Sequence, residues 1–327
     1  MIAQLQHNRV RRTYLGGGRI DAFTGSAADC QDGAHRPEDW LASTTTAFNG
    51  VVEVEGEGLG RLADGRLVAD AVGDIPFLVK LLDSDERLVI QAHPTASFAR
   101  RHMHSPVGKT ECWYFLSGTS TDASIYLGFR PGVTEARWRM AFAEQKGLLE
   151  CLNRIPVKPG DFVFVDGGMP HAIGGGCFMV ELQEPSDLMV VAERQTPSGR
   201  AIPEAKIHGG LGEERMFAVY DYRTWTRDAI CARYVRTGDG RDGNIASGAR
   251  QILGRDLTDK FEMWQLASGG RMALGGRPAV AVVTDGAGAL NGMPVRKGDR
   301  LVISDEADVS YAGDGALVLC LPGAAGF

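Results

Sequence analysis

Long hydrophobic runs are missing from this chain. No stretch approaches the roughly 18 consecutive apolar residues a membrane-spanning helix needs, and the opening MIAQLQHNRVRRTY lacks the apolar core of a secretory leader. A soluble, cytoplasmic protein without a membrane partner is expected. Blocks of one charge are also missing: 35 Lys and Arg against 41 Asp and Glu leave a net charge of −6, mixed along the chain. With no basic face, nucleic acid is excluded as an expected partner. Cysteine is sparse and scattered, at Cys30, Cys112, Cys151, Cys177, Cys231 and Cys320, with no Cys-x-x-Cys pair. That spacing argues against a disulfide frame or a thiolate zinc site and for reduced, mostly buried thiols.

What is present is enough apolar material, 44% of 327 residues, for a large core. The 43 glycines fall mostly between short apolar or alternating runs, as in the turns of all-β proteins. PFLVKLLD, RLVIQAH, ECWYFLSG, DASIYLGF, DFVFVDG and CFMVELQ are rich in β-branched and aromatic residues and have strand lengths. Such a pattern predicts a sandwich or barrel. Helical signals are fewer: PTASFARRHM, TEARWRMAFAEQKGLLECL and a looser stretch around GEERMFAVYDYRTW. At TGDGRDGNIASGA the composition turns to that of a linker or long loop, and a second strand-rich block follows. PVKPGDFVFVDGGMPHAI in the first block is echoed by PVRKGDRLVISDEADVSYA in the second, which has no histidine matching His171.

The segment LVIQAHPT poses the chemical question, because an apolar strand there finishes on Gln91 and His93. Two residues apart, both side chains point to one face and are placed to converge on an ion. Glu111 opens the apolar strand ECWYF, a charge that is costly to bury unless paired or metal-bound. His171 lies between Pro170 and a glycine-rich turn. Imidazole, carboxylate and amide oxygen make a mixed N/O set suited to zinc or another divalent first-row ion. His102 and His104 share the two-residue spacing but follow an expected helix end and an Arg-Arg pair, so an exposed loop is the simpler reading. His7, His35 and His208 have no partner pattern. Lys80, inside PFLVKLLD, needs an anion or a water-filled cavity.

Taken in order, FLVKLLDSDERLVIQAHP, GKTECWYFLSG, PGDFVFVDGGMPHAIGGG and VELQEPSDL resemble the type I phosphomannose isomerases, zinc-dependent cupins. YLGGGRIDAF and PEDWLAS also resemble that family's amino-terminal segment, so the likeness covers roughly the first two-thirds of the chain. The resemblance implies one zinc ion per chain on Gln91, His93, Glu111 and His171. It further implies that Lys109 stabilises a developing oxyanion or assists proton transfer, and that Lys80 faces the phosphate of a phosphorylated hexose. The implied reaction interconverts mannose 6-phosphate and fructose 6-phosphate through an enediol-type intermediate, with the catalytic base unassigned.

The implied fold is mainly β: a cupin (jelly-roll β-barrel) catalytic domain with flanking helices over 1–236, a linker or loop over 237–250, and a smaller cupin-like β domain without metal over 251–327. A monomer or homodimer is expected. Two departures from the family pattern stand out. The arginine that follows the Glu-x-Ser-Asp segment is replaced by Val191, leaving Arg194, with Arg200 as a less local candidate, to supply it. A histidine carried by some members before the lysine is replaced by Gly108. The alternative readings are a metal-bound sugar-phosphate sensor without catalysis and another cupin enzyme, such as a dioxygenase or epimerase.

Overall fold

The computed structural model describes residues 1–25, 35–48, 54–238 and 248–323. The molecule is mainly antiparallel β. A seven-stranded sheet runs in the spatial order Val235–Arg236, Phe162–Val165, Glu111–Phe115, Cys177–Gln183, Leu78–Ser84, Glu38–Leu41, Arg9–Val10. A five-stranded sheet follows the order Val190–Val191, Gln91–Ala92, His171–Ile173, Ser124–Phe129, Leu152–Pro156. From Leu78–Ser84 onward the chain passes repeatedly between the two sheets, as in a jelly roll, and one apolar core includes Phe115, Val163 and Met179 of the first and Ile125 and Leu127 of the second.

The two central strands, Leu78–Ser84 and Cys177–Gln183, are buried at every position. Their continuous rather than alternating apolar character follows from cover on both faces. Residues directly opposite one another in a sheet project to the same side. The register therefore lines up Trp40, Lys80, Glu181 and Trp113 as one row across the seven-stranded sheet. Glu38 and Glu111, each two residues from a member of that row, share its face.

Three expectations, one strand and two helices, change in extent. RLVIQAH forms a strand only at Gln91–Ala92. TEARWRMAFAEQKGLLECL is a helix over Glu135–Glu144 that stops at Gln145, whose φ of 51° is left-handed, before a short 3-10 turn at Leu149–Cys151. The looser GEERMFAVYDYRTW shortens to Glu213–Met216 and a 3-10 turn, Phe217–Val219. PTASFARRHM is a helix over Ala96–His102, capped by Thr95 Oγ1, which accepts from the Phe98 amide at 3.2 Å and contributes ~1 kcal/mol.

The carboxyl-terminal strands build a six-stranded and a four-stranded sheet around a second core containing Leu266, Ala281, Leu301, Val309 and Leu319. The six-stranded sheet is completed at one edge by Ile2–Gln4, which pairs with Arg300–Ile303. The two echoed segments hold the same succession of three strands: Leu152–Pro156, Phe162–Val165 and His171–Ile173 in the first, Met293–Arg296, Arg300–Ile303 and Asp308–Gly313 in the second. Of the expected linker over 237–250, residues 239–247 lie outside the described residues. Among the described residues no helix is long and apolar enough to cross a membrane. Cys112, Cys151, Cys177 and Cys320 are buried free thiols and Cys231 is half-buried; Cys30 lies outside the described residues.

Candidate active site

His93, Glu111 and His171 meet inside the first sandwich, with ligand atoms all within 4.8 Å of one another. Glu111 opens the strand Glu111–Phe115, and its carboxylate lies 3.2 Å from His93 Nε2 and 3.3 Å from His171 Nε2. His171, at the start of a strand in the opposite sheet, pairs with Gln91, so their side chains leave the sheet on the same side. His93 follows that strand by one residue.

Both imidazoles are oriented by the backbone. His93 Nδ1 is 2.9 Å from the Leu188 carbonyl and His171 Nδ1 is 2.8 Å from the Met169 carbonyl, which places the proton on Nδ1 and turns each Nε2 inward. His171 Nε2 is fully buried and has no hydrogen-bond partner, a costly state unless another group takes its lone pair. Two inward imidazole nitrogens, a carboxylate and the adjacent amide of Gln91 fit a divalent cation in a mixed N/O site.

Lys109 belongs to the same cluster. Its ammonium sits 2.8 Å from His93 Nε2 and 2.8 Å from Glu111 Oε2. Burial, aided by the Lys109 charge, holds His93 down to about 3, a neutral ligand at physiological pH. Burial alone would raise Glu111, but Lys109 and His93 keep it well below the usual carboxylate range.

The loop carrying Lys109 is tightly held. The Lys109 amide donates to the Pro94 carbonyl, Ser186 Oγ donates to the Gly108 carbonyl at 2.6 Å, and the Thr110 amide donates to Glu184. Gly108 explains its own departure from the family pattern: a Cβ there would stand 2.5 Å from the Pro94 carbonyl oxygen and 2.6 Å from the Ala96 nitrogen. No histidine fits at 108.

Gln91 and Lys109 line a cavity whose wall also holds Arg12, Glu38, Lys80, Glu181, Asp187 and Lys206. Lys80 is not a free cation. It donates to Glu181 at 2.8 Å, lies 3.5 Å from Glu38, and sits over the Trp40 ring, 5.1 Å from its centroid. Against the effect of burial, Glu181 and Glu38 raise its ammonium to about 12. Arg12 is held bidentately by Asp187 at 2.9 and 3.0 Å and meets Glu38 at 3.0 Å. Burial raises the Glu181 carboxyl, only partly opposed by Lys80.

The structure does not bring Arg194 to this cluster. Its side chain is 49% exposed, stacked 4.9 Å from the Phe142 ring centroid and 3.7 Å from Glu213. Arg200 donates to the Thr13 carbonyl and pairs with Glu86. Val191 does face the cavity, so the family arginine is absent at the wall itself, and the buried guanidinium in that space is Arg12. Arg12 escaped sequence reasoning because RRTY reads as an exposed basic pair. His102 is not in an exposed loop but ends the helix Ala96–His102, half-buried against Phe98, whereas His104 is exposed as expected.

No family model matches the chain. Two curated relatives match one segment: mannose-6-phosphate isomerase ManA of Bacillus subtilis, 41% identical over 112 residues, and mannose-6-phosphate isomerase of Streptococcus mutans, 39% over 112 residues. Each alignment takes in 34% of this chain, and it spans only 35% and 34% of the length of these relatives respectively. The likeness of fold is much broader. The crystal structure of mannose 6-phosphate isomerase from Bacillus subtilis superposes with a TM-score of 0.74 at 19% identity, covering 98% of this chain and 99% of that one. A mannose 6-phosphate isomerase bound with zinc and yttrium superposes at 0.68, with 16% identity and 98% and 99% coverage. A segment about 40% identical to mannose-6-phosphate isomerases thus sits in a fold that is shared with a solved mannose 6-phosphate isomerase along nearly the whole length.

Proposed function

We propose that this protein is a metal-dependent aldose–ketose isomerase that interconverts mannose 6-phosphate and fructose 6-phosphate. The observation that carries the reading is the buried His93–Glu111–His171 cluster in contact with Lys109, which together with Gln91 and Glu181 lines the neighbouring cavity. Gln91, His93, Glu111 and His171 would hold one zinc ion per chain. When bound, that ion supplies a Lewis acid beside the sugar oxygens.

The remaining chemistry belongs to the side chains. Moving a proton between adjacent carbons needs a base and a cation near the oxygen that gains charge. Glu181 is the carboxylate of the cavity whose affinity for a proton is raised, which suits a group that takes and returns one. Lys80, bonded to it at 2.8 Å, fixes its position. Lys109 presents a charged donor on the metal side of the cavity, placed to stabilise a developing enediolate oxygen. The apolar residues Leu82, Leu88, Val89 and Ile173 of the same cavity limit water and strengthen these charge interactions.

The test is incubation of purified, zinc-loaded protein with mannose 6-phosphate and detection of fructose 6-phosphate. Conversion that disappears in Glu111→Gln supports the reading. Saturable binding without conversion is the result expected of a sensor and sinks the isomerase.

A further inference from the structure

Four cations line the cavity, and three of them are already matched. Arg12 is bound to Asp187, Lys80 to Glu181 and Glu38, and Lys109 to Glu111. The ammonium of the fourth, Lys206, makes no hydrogen bond and no ion pair among the described residues, although the residue is only 5% exposed. It stands in the short helix Glu204–His208, which packs against the strand Val190–Val191, at a wall otherwise made by Met189, Val191 and Ile202. A buried ammonium without an ion-pair partner is expensive. The carboxylates of Asp187, Glu38 and Glu57 favour its charge only from a distance, and burial with the Arg12 charge outweighs them.

We propose that Lys206 is the residue that binds the phosphate group of the substrate, a phosphate monoester dianion, and that Lys80 serves instead to position Glu181. This inference rests on the sugar-phosphate reading above. A dianion entering the cavity finds in Lys206 the one lysine there that need not break an existing ion pair to meet it. Lys80 would have to leave two carboxylates. Val191 beside Lys206 leaves the space of the missing family arginine free for the phosphate, with the Arg12 guanidinium of the same cavity adding positive potential. Burial and the Arg12 charge lower the Lys206 ammonium to about 8, so the bare cavity already strains to keep it charged. A bound dianion relieves that cost.

The experiment compares the full-length, zinc-loaded protein with Lys206→Met and Lys206→Arg, by calorimetric titration and thermal shift with inorganic phosphate, mannose 6-phosphate and unphosphorylated mannose. Wild type is expected to bind both phosphates and to gain thermal stability from them. Lys206→Met should bind them at least tenfold more weakly, while its unliganded stability stays the same or rises and its zinc content is unchanged. A merely structural lysine would instead lower that stability on removal. Lys206→Arg should restore part of the phosphate affinity, and Lys206→Gln repeats the test if methionine packs poorly. In turnover, Lys206→Met should raise KM for mannose 6-phosphate at least tenfold with a smaller change in kcat. Wild-type affinity for both phosphates in Lys206→Met overturns the inference, and if wild type still isomerises the sugar the isomerase reading survives. Loss of phosphate binding in Lys206→Met by a wild type that never forms fructose 6-phosphate sinks the isomerase reading and keeps the phosphate site.

Discussion

At the scale of single residues, the site is decided by which atoms the protein leaves unmatched. The Nδ1 atoms of His93 and His171 are engaged by backbone carbonyls, so only Nε2 faces inward, and at His171 that nitrogen has no partner. Replacing His171 with alanine should lower zinc affinity by more than the ~10–100-fold typical of losing an outer-shell partner, measured by competition with a chromophoric chelator, while the backbone fold persists by circular dichroism. The protonation of His93 gives a second expectation. Its imidazole is held down to about 3 in the fold against ~6.5 in an unfolded chain. The unfolded state therefore binds more protons between those values, and stability rises with pH across that window. In chelator-treated protein, stability should be flat above about pH 6.5 and should fall as the pH drops from there toward 3. The slope between pH 6 and 5 in urea titrations should be smaller in His93→Gln; an unchanged slope would assign the acid loss elsewhere. Lys80→Met removes one partner of a buried set that leaves Glu181 and Glu38 less compensated, and should cost about 3–5 kcal/mol by denaturant titration.

At the scale of elements, the loop over 108–110 connects the His93–Glu111–His171 cluster to the rest of the sandwich. Gly108→Ala would drive a Cβ into the Pro94 carbonyl and the Ala96 nitrogen. The backbone must then shift, at a cost of about 1–3 kcal/mol, and Lys109 shifts with it. The expected outcome is a lower Tm together with a loss of turnover larger than the stability change explains, read from kcat at a temperature where both proteins are folded. This loop also shows what the sequence made legible. Glu111 at the head of an apolar strand and Lys80 within another announce themselves, because a charge in an apolar run has few explanations. Gln91 and His93 are visible through their two-residue spacing, even though the strand bearing them is only Gln91–Ala92. Arg12 and Lys206 were hidden, since each reaches the cavity from a segment far away in the chain and neither sits in a periodic pattern. Lys206, between Ala205 and Ile207, offers only the faint sign of a charge among apolar neighbours. Arg194 was favoured for its nearness to Val191 in sequence, but residue spacing did not reveal that its side chain would lie on Phe142.

At the scale of the whole molecule, the second β sandwich is tied to the first by specific contacts. Lys260 donates to Thr110 Oγ1 at 2.6 Å and to Glu184 at 2.7 Å, bracing the residue next to Lys109. Arg300 bridges to Asp39 at 2.7 Å, and the strand Ile2–Gln4 completes the far sheet. Deleting residues 1–5 should expose the edge Arg300–Ile303 and lower Tm by ~2–4 °C for each kcal/mol lost, read by differential scanning calorimetry. The central claim is that this architecture assembles one metal-dependent isomerase site. Its most direct test is a titration of chelator-treated protein with zinc while fructose 6-phosphate formation from mannose 6-phosphate is followed. Activity should rise linearly to an end point at one ion per chain and be absent from His171→Ala at any zinc concentration. Stoichiometric zinc binding with no product formed would contradict the account.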